Sequence, residues 1–258
     1  MKLSTNFSIF FIIYCLYSIK VSHAQVNTET LRKNDLQHGF HSTAMLNLGM
    51  VSGNSEFLKL KTGIRTDYVC QKYYLFGVIQ YQRGTKNQKN FINKGFIHLR
   101  NILRFTDRFN VELFAQKEFD DFILLKDRNL IGGGIRTELL SRSADDKNYR
   151  FFIGNGGMWE NEEIRTSPIS ETKIVRSTNY VSIQLQNNNH WNINFVNYYQ
   201  FNLENVTDYR ILMESTFGFK LTSSFSFQTN FNYRYDNEPP PNVKKYDLEL
   251  TNGISFSF

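Results

Sequence analysis

Two groups of carboxylates stand close enough in the chain to do chemistry: Glu118, Asp120 and Asp121, and Glu160, Glu162 and Glu163. Paired acids of this kind can activate a water or hold a divalent cation with their oxygens. One reading is therefore a hydrolase working from these residues; the plainer one is a pair of solvated acidic loops. Basic residues show a different order. Lys59, Lys61 and Arg65, and again Lys94, Arg100 and Arg104, are separated by even intervals, which places each set on one face of an extended strand. Glu112, Glu138, Glu214, Asp247 and Glu249 fall on the matching face of other segments. The histidines are scattered, with neither a Ser-His-acid arrangement nor metal-ligand spacing, and Cys70 has no base beside it. Gly132-Gly133-Gly134 lacks the following helix that a phosphate loop requires. No cofactor, no metal and no catalytic residue are expected.

The elements that must carry these side chains repeat with period two. Twelve segments of alternating character, each closed by polar turn residues, cover 42–51, 56–66, 71–83, 92–105, 109–118, 129–139, 149–160, 174–186, 190–201, 209–221, 224–235 and 245–258. One face holds residues such as Leu58, Leu60, Ile64, Ile97, Leu113, Ile131, Phe195 and Leu250. The other holds the charges above together with Arg136, Arg176, Lys220 and Arg234. Segment 71–83 is apolar on both faces, so its register stays open. Aromatics gather at segment ends, among them Tyr73/Tyr74, Phe105, Phe109, Trp159, Tyr198/Tyr199, Phe201, Tyr209 and Tyr235, as interfacial girdles require.

Compartment and orientation follow from other features. Lys2, the apolar run Phe7–Tyr17 and Ser22-His23-Ala24 predict a signal peptide over 1–24, cut before Gln25. Residues 25–40 then form a periplasmic N-terminal segment, and 41–258 one domain. After the leader no apolar run approaches the roughly 20 residues of a membrane helix. A membrane-spanning chain of this kind has to be a closed barrel. Without Lys2 and Lys20 of the leader the 30 basic residues fall to 28 against 24 acids, a charge of +4 that is too mild to imply nucleic acid.

Alternation alone does not say which face is outside. A soluble carrier turns its apolar face inward, an outer-membrane barrel turns it to lipid. The absence of charge from the apolar positions favours lipid. So do the connections, long after odd-numbered segments (84–91, 119–128, 161–173, 202–208, 236–244) and mostly short after even ones. The final segment, from Tyr246 through Ile254 and Phe256 to Phe258, has the alternating aromatic ending read by the barrel assembly machinery. The expected fold is all-β, an antiparallel up-and-down transmembrane β-barrel of about twelve strands.

Ser52-Gly53-Asn54-Ser55, the run Leu130 to Arg136 with its three glycines, and Tyr233 to Pro241 with its three prolines resemble the YdiY-like family. That family, a domain of unknown function, is labelled a salt-induced outer membrane protein. The resemblance spans roughly 40–258 and implies an outer-membrane barrel, with no active site to carry over. The functional expectation is a small polar pore or structural barrel with a mixed-charge lumen and no chemistry of its own. Its basic wall is Lys59, Lys61, Arg65, Lys94, Arg100 and Arg104. Expected partners are outer-membrane lipid, lipopolysaccharide, the assembly machinery and small ions or solutes. The alternatives are the rim hydrolase and a soluble periplasmic carrier.

Overall fold

The computed structural model describes residues 29, 36–51, 57–86, 89–144, 147–187, 190–222, 225–241 and 243–256. The predicted signal peptide and most of segment 25–40 lie outside these. Twelve strands follow one another: β1 Gly39–Val51, β2 Phe57–Val69, β3 Tyr73–Lys86, β4 Lys89–Arg104, β5 Phe109–Asp120 and β6 Leu125–Ala144. Then come β7 Lys147–Ile164, β8 Ser170–Asn187, β9 Trp191–Asn202, β10 Tyr209–Lys220, β11 Phe225–Asp236 and β12 Tyr246–Phe256. Each is antiparallel to its neighbours in sequence, giving a single meander in the order β1 to β12. A 3-10 turn, Asp121–Ile123, caps the β5–β6 connection, with the Asp120 carboxylate accepting from the Phe122 amide.

The strands outrun the segments that alternation marks. Lys86 and Lys89 already pair, so 84–91 is largely strand where a long loop was expected. Likewise 140–148 contracts to a tight link between β6 and β7, and 161–173 to the residues between Ile164 and Ser170. Polar residues conceal these ends: Glu160 to Ile164 pair in register with Ser170 to Ile174, though little in that stretch alternates in hydropathy. The connections after odd strands exceed those after even ones at 52–56, 165–169, 203–208 and 237–245, but not at 87–88 or 121–124. Loop asymmetry is therefore weaker than the sequence suggests.

Side chains sort by face as the pleat demands. Ile97 is 53% exposed and Leu250 62%, while Arg100 is 4% exposed and Glu160 1%. Leu58, Ile64, Leu75, Ile79, Leu99, Leu113, Ile131 and Ile135 also face outward. The charges therefore lie on the concave side and the aliphatics on the convex side. An apolar interior, as a soluble carrier needs, is not what the chain builds. The register of β3 is resolved: Tyr73, Leu75 and Ile79 point out, while Tyr74, Phe76 and Val78 join Val69, Phe96 and Ile102 in a cluster inside.

Near the rim remote from β1's start, Phe201, Tyr199, Tyr209 and Tyr235 form a chain of rings with centroids 5.7–5.8 Å apart. Phe105 and Phe109 are exposed at the opposite rim. Two aromatics expected in these girdles, Tyr74 and Tyr198, point inward instead, because each neighbours a girdle residue and so has the opposite parity. The convex face is also less pure than alternation suggests, since Lys117 is exposed there and pairs with Asp127 at 2.8 Å. Both lie near the rim remote from β1's start, called distal below.

Among the described residues no ladder joins β1 to β12, so the sheet is not closed by hydrogen bonds. Its margins nevertheless face each other. Lys59 Nζ on β2 is 4.0 Å from the Glu249 carboxylate on β12.

Candidate functional site: a charge-filled lumen

The distal half of the interior is crossed by three buried arginines and the acids around them. Arg210 on β10 donates from Nη1 to Glu160 on β7 at 2.9 Å and from Nε to Asp236 on β11 at 2.8 Å. Two strands separate β7 from β10 in the sheet, so the first of these bonds spans the lumen. Arg176 reaches Glu160 at 3.1 Å and Asp208 at 2.9 Å. Arg128 holds Glu162 at 2.7 Å and Glu118 at 2.5 Å. Guanidinium suits such a network because its rigid fork of donors can satisfy several carboxylates at once. Buried charges tolerate these positions only when so paired.

Below this lies the middle of the lumen. His98 stacks on Phe114 and meets Gln116 Oε1 through Nδ1 at 3.0 Å, and Gln116 in turn donates to Glu118. Tyr180, Tyr198, Val196 and Leu212 pack together from the other side. The ring of Tyr180 occupies the space over Gly154, where an added Cβ would stand 2.0 Å from it. Gly132 likewise leaves room for the Phe114 ring. The glycine-rich run is strand throughout, and its function here is to admit large neighbours. The space left at this level, lined by Arg100, Glu112, Phe114, Met158, Tyr180 and Gln200, is about 40 Å³. That is room for a water or two.

The proximal third opens into a vestibule of about 510 Å³ lined by Tyr74, Arg104, Asn110, Arg136, Glu138, Arg150 and Phe152. Between vestibule and middle stands a second set of ion pairs. Arg100 Nη1 is 3.0 Å from Glu112, and Arg136 Nη2 is 2.8 Å from Glu29, whose other oxygen is 3.5 Å from Arg100. Glu29 comes from the segment expected to lie in the periplasm before the barrel; its side chain is inside the lumen and 2% exposed. Arg65 lies over the Phe76 ring and binds Asp67 through Nε and Nη2, with Tyr74 donating to the same carboxylate.

The expected basic wall is only partly one wall. Lys59, Lys61 and Lys94 lie together with Glu249 and Glu214 near the β1–β12 seam. Arg65 and Arg100 belong to the proximal pairs, whereas Arg104 is exposed at the mouth and lines the vestibule. Among the acids, Glu112 is buried against Arg100, and Glu138 is half-buried in the vestibule. Glu214 is 3.9 Å from Arg234, and Asp247 lies opposite Arg234 in the β11–β12 register. Glu249 is half-exposed. Of the expected assembly signal, Tyr246 packs on the Tyr233 ring and Ile254 and Phe256 continue β12. Phe258 lies outside the described residues.

The acids expected at the rim are divided between the lumen and the surface, and each is engaged by other groups. Glu118, Glu160 and Glu162 are inside the lumen, each bound by arginine. Asp121 accepts from Asn93 and pairs with Arg165, and Glu163 pairs with Lys126. Arg128, Arg210, Asp208 and Asp236 were not among the expected lumen residues. Parity would have found three of them, since Arg128 shares it with Arg136, Arg210 with Glu214 and Asp236 with Arg234. Glu29 carries no signal of its own.

The family described as "Protein of unknown function, DUF481" matches residues 46–258. The chain belongs to it. Among curated proteins none matches. Among solved structures, the NanC porin is similar at 10% identity over 78% of this chain and 94% of that one, with a TM-score of 0.48. The β domain of the Bordetella autotransporter BrkA is similar at 7% identity over 85% and 98% of the two chains, at 0.37. Likeness at this level carries no residue role over to this DUF481 chain.

Proposed function

We propose that this DUF481 protein is an outer-membrane β-barrel whose lumen is shut at rest by ion pairs, with no chemistry of its own. The observation that carries the reading is the Arg210–Glu160 bond from β10 to β7, with Arg128 and Arg176 filling the space beside it. A convex face of exposed aliphatics would be a liability in water and costs nothing against hydrocarbon. On this reading the leader over 1–24 is cleaved, the barrel sits among lipid and lipopolysaccharide, and the ending of β12 is what the assembly machinery reads. Kinship with the YdiY-like, salt-induced proteins belongs to the same proposal.

Planar-bilayer recording tests the closure. Wild-type barrel should show little or no steady conductance, and Arg210→Ala combined with Glu160→Ala should raise it by removing the cross-lumen bond. A large, steady wild-type conductance refutes a lumen closed at rest.

The second reading, a narrow path for small anions, is favoured by one observation. The proximal vestibule is roomy and its inner wall is arginine-rich, through Arg104, Arg136 and Arg150. The two readings meet if the barrel opens. A rim hydrolase has the weaker support, because its acids are already engaged.

A further inference from the structure

Arg136 is buried at the junction of two spaces: it lines the vestibule, while Arg100, its neighbour through Glu29, lines the narrow middle. Among the described residues Glu29 is the one acid paired with Arg136. A buried guanidinium without a counter-charge is costly, so any withdrawal of Glu29 leaves a demand for an anion at this spot. The site is shaped for one. Arg136 lies over the Phe152 ring, its Cζ 3.5 Å from the centroid, and Arg100 stands 5.3 Å from that of Phe114. A guanidinium stacked in this way keeps its in-plane N–H donors for a planar oxyanion. Glu112 is already seated 3.0 Å from Arg100 Nη1, so Arg136 is where an incoming group would find its counter-charge. The carboxylate of Glu29 shows what that group looks like.

We propose that Arg100 and Arg136 form a binding site for a small carboxylate anion entering from the vestibule, and that Glu29 fills it as a tethered competitor. This rests on the reading of the lumen as closed and charge-filled. Glu29 is then both plug and ligand mimic, and a diffusible carboxylate displaces its side chain.

Acetate is the probe, titrated calorimetrically into the purified full chain in detergent micelles, with chloride at equal ionic strength as control. Glu29→Gln should bind acetate at least tenfold more tightly than wild type, and adding Arg136→Gln should remove the gain. Equal affinities for wild type and Glu29→Gln, or a gain that survives Arg136→Gln, overturn the proposal. Should Glu29→Gln fail to fold, Glu29→Asp retains the charge on a shorter arm. Acetate should then raise its unfolding temperature more than that of wild type, and equal shifts count against the site. A conducting wild-type barrel would refute closure at rest while leaving these acetate titrations to be judged alone.

Discussion

Single residues in the distal lumen are expensive to change because Arg128, Arg176 and Arg210 each serve two or three acids. Arg210 contacts Glu160, Glu162 and Asp236 and is 4% exposed. Arg210→Ala takes from Asp236 its arginine and leaves Glu160 to Arg176 and Glu162 to Arg128, and breaking a buried pair from one side costs about 3–5 kcal/mol. The expected result is a clear drop in the urea midpoint of the refolded barrel; an unchanged midpoint would mean the network is solvated. Packing sets a second test. Gly154→Val drives a side chain into the Tyr180 ring, and overpacking of this kind costs about 1–3 kcal/mol. Unfolding curves of that variant should shift accordingly, with the smaller Tyr180→Ala restoring part of the loss in the double variant. The parity of these residues was visible in the sequence, since each lies on the polar face of an alternating run. Their partners were not, because partners across a lumen share no local spacing.

Elements respond according to where their outward side chains meet the membrane. Ile97 is exposed in the middle of β4, and Ile97→Arg should destabilise the barrel by about 2–4 kcal/mol, the cost of a basic residue near the bilayer midplane. Lys117 is exposed too, but near the distal end of β5 and paired with Asp127. Lys117→Leu should shift stability by no more than about 1 kcal/mol, as an exposed pair contributes little. Comparing the two variants by unfolding in lipid vesicles checks whether depth, and not merely outwardness, sets the penalty. Similar costs would argue against a membrane-spanning wall. The sequence placed all twelve strands and left their ends short. Ladder hydrogen bonds continue wherever the neighbouring strand continues, whether or not the side chains there alternate. That is how Lys86 and Lys89 come to pair within an expected loop.

For the molecule as a whole, the open question is closure. Described pairings leave β1 and β12 unjoined, yet Lys59 and Glu249 meet across the seam. A sheet with free margins would expose unpaired backbone to hydrocarbon, which is not tolerated. Closed barrels run compactly on a gel until boiled. The purified protein should therefore show heat-modifiable migration, and identical mobility before and after boiling would contradict a closed wall.

Strand count, antiparallel meander and, outside β3, the face on which most residues lie were legible in the chain alone. These depend on the pleat, whose period of two is a local property of the backbone. The sequence also supplied part of the lumen's acids and bases, though not Arg128, Arg210, Asp208 or Asp236, nor the inward turn of Glu29. Only the tertiary structure decided that the apolar face is convex, that Arg210 bonds to Glu160 and that Glu29 bridges Arg100 and Arg136. Those facts depend on how the sheet curls and how far each strand is staggered against the next. Curvature and stagger bring residues 50 and more positions apart to within hydrogen-bonding distance, and no pattern within a single strand encodes them.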